Sequence, residues 1–186
     1  MFYISKGVVF TLSVKDCVYV SRCGKDYELR GEQAKLWLAG RFQVARNDDD
    51  KQQSQLWELE KMGLIEMAEP DETAKYRMLT NCVICPVNPI QSTFLLNKAE
   101  KTIWAWIRNT GFKLNISELV YLSEQQIKPD HSFFGENNWH ILIHTIYNTE
   151  TIFDRILDAK MEESDAMDGV VTAVLGLLRK KQIILV

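Results

Sequence analysis

The chain has 186 residues, enough for one or two domains, each with a modest core. Its 46% hydrophobic and 25% charged content is ordinary for a globular protein, and no apolar run approaches the roughly 18 residues of a membrane span. A net charge of −3 gives no overall attraction to nucleic acid, and MFYISKGVVF lacks the basic region and cleavage site of a secretory signal, so a cytoplasmic protein is expected.

Residues 8–29 predict a three-stranded antiparallel meander. VVFTLSV, CVYVSRC and KDYELR are short, rich in β-branched and aromatic residues, and separated by Lys15-Asp16 and Gly24-Lys25. Gly31-Glu32 opens a helix, EQAKLWLAGRF, with Leu36 and Trp37 on its apolar side and Gly40 near its end. Residues 47–50 supply an N-cap and three acids, where the helix dipole favours negative charge. The helix that follows carries Leu56, Leu59 and Met62 on one stripe and stops at Gly63, and Leu64-Ile65 begins a strand. A turn at 69–73 and a return strand over 75–87 are expected to complete a wing-like hairpin.

Asn88-Pro89 marks the expected boundary, which divides the chain into domains 1–87 and 88–186. Beyond it, LNKAEKTIWAWIRNTG predicts a helix with Ile103, Trp106 and Ile107 facing inward. NISELVYLSEQQ predicts a second, capped by Asn115 or Ser117. Residues 128–138 form a loop, 139–147 a buried apolar helix, and 149–161 a helix with Ile152, Ile156 and Leu157 inward. The last helix spans 165–181, and QIILV ends the chain as an edge strand, open to pairing within the chain or with a second copy in a homodimer.

A Leu-rich helix closing on a short strand occurs twice, in QSQLWELEKMGLIE and in VVTAVLGLLRKKQIILV. The last helix of a winged helix-turn-helix runs into its wing in this way. The expected fold class is therefore α+β: two winged-helix-like domains, the first with an N-terminal meander and the second mainly helical. Residues 4–66 also resemble the peptide-chaperone family typified by the pyrroloquinoline-quinone biosynthesis chaperone, whose module recurs as a leader-peptide recognition element. The matching residues are Tyr27-Glu28-Leu29-Arg30-Gly31, Leu36-Trp37, and Leu59 through Gly63-Leu64-Ile65. The chain departs from that family in having no clear middle helix, since FQVARND is short and polar. The resemblance implies a groove between the meander edge and the last helix that pairs with an extended peptide. It would map onto residues 18–22, with Val18, Val20 and Arg22, and onto the exposed face of 52–61, with Gln52, Gln55 and Trp57.

No constellation of residues points to catalysis. His140 and His144 share a helix face, but no Glu follows His140, and the residues between them are apolar. Phosphate loops, GxSxG and GxGxxG are absent from the sequence. Cys82 and Cys85 flank Val83-Ile84, and on an extended strand they point to opposite faces, which favours structural thiols over a metal site. An enzyme is not expected, and no cofactor or metal is implied.

Winged-helix domains commonly read DNA, and charge decides against that here. Residues 46–77 hold five basic and nine acidic side chains, a net −4 that repels phosphates. The last helix is apolar nearly all round, which implies burial. The best basic surface is Lys98, Lys101, Arg108 and Lys113, helped by Trp104. The expected function is a non-catalytic protein- or peptide-binding adaptor anchored by exposed aromatics such as Trp57. A DNA-binding transcriptional regulator using Lys98, Lys101, Arg108 and Lys113 is the alternative.

Overall fold

A computed structural model describes residues 1–13, 17–87, 94–110, 114–134, 138–147 and 154–186. In chain order the elements are β1 (Phe2–Ser5), β2 (Val8–Ser13), β3 (Cys17–Arg22), β4 (Lys25–Arg30), α1 (Gly31–Ala39), β5 (Ala45–Arg46), α2 (Asp50–Lys61), β6 (Ile65–Ala68), α3 (Ala74–Thr80) and β7 (Ile84–Pro86). Then come α4 (Lys98–Asn109), α5 (Ile116–Glu124), a 3-10 turn at His131–Phe133, α6 (Trp139–Tyr147), α7 (Asp154–Glu162), α8 (Met167–Arg179) and β8 (Ile183–Leu185). The class is α+β, as expected.

β1 lies outside the three strands that the sequence predicts, and it organises the first half. It pairs antiparallel with β5 on one side and β6 on the other. Successive side chains of a strand point to opposite faces. Tyr3 accordingly enters a core with Val20, Leu29, Trp37, Leu56 and Leu59, while Ile4 enters a larger one built from α3, α4, α5 and α8. At the end of β1 the chain is fixed by polar contacts. The Ser5 hydroxyl donates to the Trp37 carbonyl at 2.7 Å, and the Trp37 indole donates to the Lys6 carbonyl at 3.2 Å. The buried Lys6 ammonium pairs with Glu66 and donates to the Asn81 carbonyl at 3.4 Å.

The two helix-to-strand endings share one geometry. After α2, Leu64 N–H donates to Leu59 and Gly63 N–H to Glu60, at 2.9 and 2.7 Å. After α8, Gln182 N–H donates to Leu177 and Lys181 N–H to Leu178, at 3.0 and 2.9 Å. Both are Schellman-type caps, which need a left-handed residue. Gly63 provides it at φ 72°, and Lys181 provides it at φ 57° against the steric cost of a side chain. The strand beyond each cap then pairs antiparallel: Ile65 with Ser5 and Glu66 with Ile4 after α2, and Ile183 with Pro86 and Ile184 with Cys85 after α8. QIILV therefore pairs within the chain, and Gly7 N–H also donates to the Leu185 carbonyl at 2.8 Å.

The return strand expected over 75–87 is not formed as such. Residues 74–80 are α3, and only Ile84–Pro86 is strand. Ala74, Tyr76 and Met78 alternate with Lys75 and Arg77, which gives the strand-like period. The segment is nonetheless a helix packed among β1, β6, α5, α7 and α8, so its buried residues do not follow one stripe. β6 takes β1 as partner in place of the expected return strand. Helix α6 is buried along one side only, through Leu142 and Ile146, while Ile141 and Ile143 are exposed. Leu157 of α7 faces in, but Ile156 is exposed, because neighbours along a helix lie about 100° apart. Asn88-Pro89 and Ile152 lie outside the described residues.

Candidate functional site

Helix α2 begins where the acids of residues 48–50 predict it. Asp49 is the N-cap, its carboxylate accepting from Lys51 N–H at 2.9 Å, and Asn47 braces the turn by accepting from Asp49 N–H at 3.2 Å. Leu56 and Leu59 enter the first core with no exposure. That fixes the rotation of the helix and turns Trp57 outward, where it is 54% exposed. Two side-chain bonds tie α2 to α1: Gln52 donates to Glu32 at 2.6 Å and Gln33 donates to Glu58 at 2.8 Å. Burial, and then the nearby Glu66 charge, hold the Glu60 carboxyl above its ordinary value. The outer face of α2 is thus a braced, acid-bearing surface with one large aromatic on it.

Of the residues assigned to a peptide groove, Gln52, Gln55 and Trp57 all lie on α2, but Gln52 and Gln55 are half-buried and the helix turn sets Gln55 and Trp57 on nearly opposite sides. The structure does not add the others. Val18 and Val20 are core residues, and β3 is the middle strand of β2-β3-β4, so both of its edges are already paired. The open edge expected at 18–22 cannot exist there. Arg22 packs over Gly63, where an added β-carbon would lie 3.2 Å from the guanidinium carbon, and its buried Nε has no hydrogen-bond partner.

The outer strands of the meander are β2 and β4, and they differ in chemistry. β4 presents Lys25, Asp26, Glu28 and Arg30, charges that discourage a passing strand. Arg30 and Tyr19 both donate to Glu28, which holds its carboxyl below the ordinary value. β2 instead exposes Val8 and Phe10, with Phe10 against Tyr19 at a ring separation of 5.9 Å. The apolar residues of VVFTLSV were the available signal for this edge, but the sequence alone left their direction undecided.

On α4, Lys98, Lys101 and Arg108 are exposed, as the DNA-binding alternative needs. The acid of that helix, Glu100, is turned inward: 4% exposed, it caps Asn97 N–H at 2.7 Å and accepts from Lys180. The outer stripe of α4 therefore carries only positive charge. Trp104 does not join it, being buried with its indole nitrogen unpartnered. Lys113 lies outside the described residues.

Two clusters with reactive-looking groups lie inside the protein. Tyr76 and Ser117 are 2.8 Å apart, Ser117 also bonds Asp158, and Tyr76 donates to the Asp158 carbonyl at 2.9 Å. Ser117 has no exposure, burial pushes the Tyr76 hydroxyl up to about 12, and the network joins α3, α5 and α7. Burial likewise pushes the Cys82 thiol up to about 12, and it donates to the Met78 carbonyl at 3.1 Å. His140 and His144 are exposed on α6.

Compared with protein-family models, curated proteins and solved structures, the chain matches none.

Proposed function

We propose that this chain is a non-catalytic protein- or peptide-binding adaptor built on two winged-helix-like halves. The observation that carries the reading is the half-exposed Trp57 on the rigid, acid-bearing face of α2. An indole left in water at a fixed position is the kind of anchor on which interfaces concentrate their energy. The acids around it favour a partner with basic residues beside an apolar one. Support for the tandem arrangement comes from the shared caps that follow α2 and α8. The exposed apolar residues of β2 suit a partner that adds a strand.

A random peptide library displayed on phage and panned on the protein tests this reading. Clones enriched on the wild-type chain, depleted on Trp57→Ala and rich in Lys or Arg would support it. Enrichment that ignores Trp57, or no enrichment over repeated rounds, would sink it.

The purely basic outer stripe of α4 favours a second reading, DNA binding through Lys98, Lys101 and Arg108. Fluorescence anisotropy of a mixed-sequence duplex at about 50 and 200 mM salt separates the two, because phosphate-driven binding falls by orders of magnitude over that range. Salt-sensitive binding abolished by Lys101→Ala with Arg108→Ala would establish the second reading.

A further inference from the structure

A cleft of about 400 Å³ opens between α4, α5 and α8, within the roughly 300–1,000 Å³ typical of small-molecule sites. Trp106 lies beneath its floor, 1% exposed, with Phe133 and Phe134 against the indole at ring separations of 5.5 and 5.7 Å. Ile103, Leu119 and Val170 are buried behind the lining, and Ala99 and Ile127 are its accessible apolar residues. Among the described residues, Lys98 is the one charged group at the cleft, joined by the hydroxyls of Thr102 and Ser123. Among the described residues no carboxylate lines it, and Glu100 on the same helix is turned to Asn97 and Lys180.

We propose that this cleft binds a small amphipathic carboxylate, its apolar chain along Ala99 and Ile127 and its head group at Lys98. Charge and polarity select among possible occupants. A cationic amphiphile would meet the like charge of Lys98, and a neutral one would form no ion pair with it. An extended peptide would bring backbone N–H and C=O groups against apolar walls that offer two hydroxyls. The site is separate from the α2 face, and neither reading depends on the other.

Gly169 supplies a clean test, because it lines the cleft and a β-carbon added there meets nothing within 4 Å. A side chain added at that position starts in open space at the edge of the cleft. Decanoate, kept below its micelle threshold, would be titrated into the full chain by calorimetry, with decanol and decylamine as controls. Decanoate should bind, and Lys98→Met should weaken it about tenfold, as the loss of one charge-assisted contact would, while leaving decanol unchanged. Gly169→Phe should abolish binding with the circular dichroism unaltered, and Gly169→Leu provides a smaller plug should Phe disturb the helix. No decanoate binding at millimolar concentration would overturn the proposal. So would equal affinity for decylamine, or full binding by a folded, plugged variant.

Discussion

Two glycines of α8 should respond in opposite directions to the same substitution. A β-carbon at Gly169 meets open space, so Gly169→Ala should stabilise the protein by about 0.5–1 kcal/mol through helix propensity alone. At Gly176 the added carbon would press on the Glu100 carboxylate, whose Cδ would lie 3.2 Å away and one oxygen nearer still. A flexible Glu could swing aside, but this one is held at its other oxygen by Asn97 N–H at 2.7 Å and by Lys180. Moving it gives up half a capping box, about 1 kcal/mol. It also weakens an ion pair worth about 1 kcal/mol after discounting for the 35% exposure of Lys180. Set against the propensity gain, Gly176→Ala should cost about 1 kcal/mol, or roughly 2–4 °C in Tm. In a Glu100→Ala background the obstacle is gone, and Gly176→Ala should become stabilising, a coupling of about 2 kcal/mol. Urea denaturation of the four chains at constant m-value measures this. The packing argument fails if Gly176→Ala stabilises the parent, or if it costs as much without Glu100 as with it.

Trp57→Ala should change stability by less than about 0.5 kcal/mol, whereas Trp37→Ala, at a site with no exposure, should cost about 3–5 kcal/mol; chemical denaturation of both separates an anchor from a core residue. Burial raises the Glu100 pKa, and the bonds from Lys180 and Asn97 more than offset it, leaving the carboxyl below its ordinary value of 4.5. Its contribution to stability is therefore complete above that value and lost as pH falls through the lower folded pKa, so Glu100→Gln should flatten the stability–pH curve below about pH 4.5. Native labelling with a thiol reagent at pH 8 should modify exposed Cys23 and spare Cys82, whose thiol is buried and pushed up to about 12, until denaturant is added. Equal labelling of the two would mean that the second core opens far more readily than its packing implies.

Helix starts were the most legible part of the sequence. Asp49 caps α2 among the predicted acids, and Asn115 rather than Ser117 caps α5, with Glu118 closing the box at the third position. The all-round apolar face of the last helix correctly implied burial. α3 was illegible because its alternating Ala74, Tyr76 and Met78 carry a strand period, and only packing on several sides explains why a helix buries them all. Trp57 was readable in part: Leu56 and Leu59 define the inner stripe, and whether their neighbour met solvent depended on how α1 lay beside it. The cleft beside Trp106 left no sequence signal, since its lining comes from three helices far apart in the chain.

Caps and periodicities are local. They depend on side chains within a turn or two, so the sequence by itself determined where most helices begin, where α2 and α8 hand over to strands, and which helix faces are apolar. Which strand lies beside which was decided by the tertiary structure. The order β5-β1-β6, the enclosed position of β3 and the in-chain pairing of β8 rest on backbone N–H and C=O groups. Those groups are the same at nearly every residue and leave no mark in the side chains. The outer strands of the meander are β2 and β4 in place of β3, and the α4 stripe became purely basic once Glu100 turned inward, for the same reason: both depend on neighbours that the chain meets only after folding.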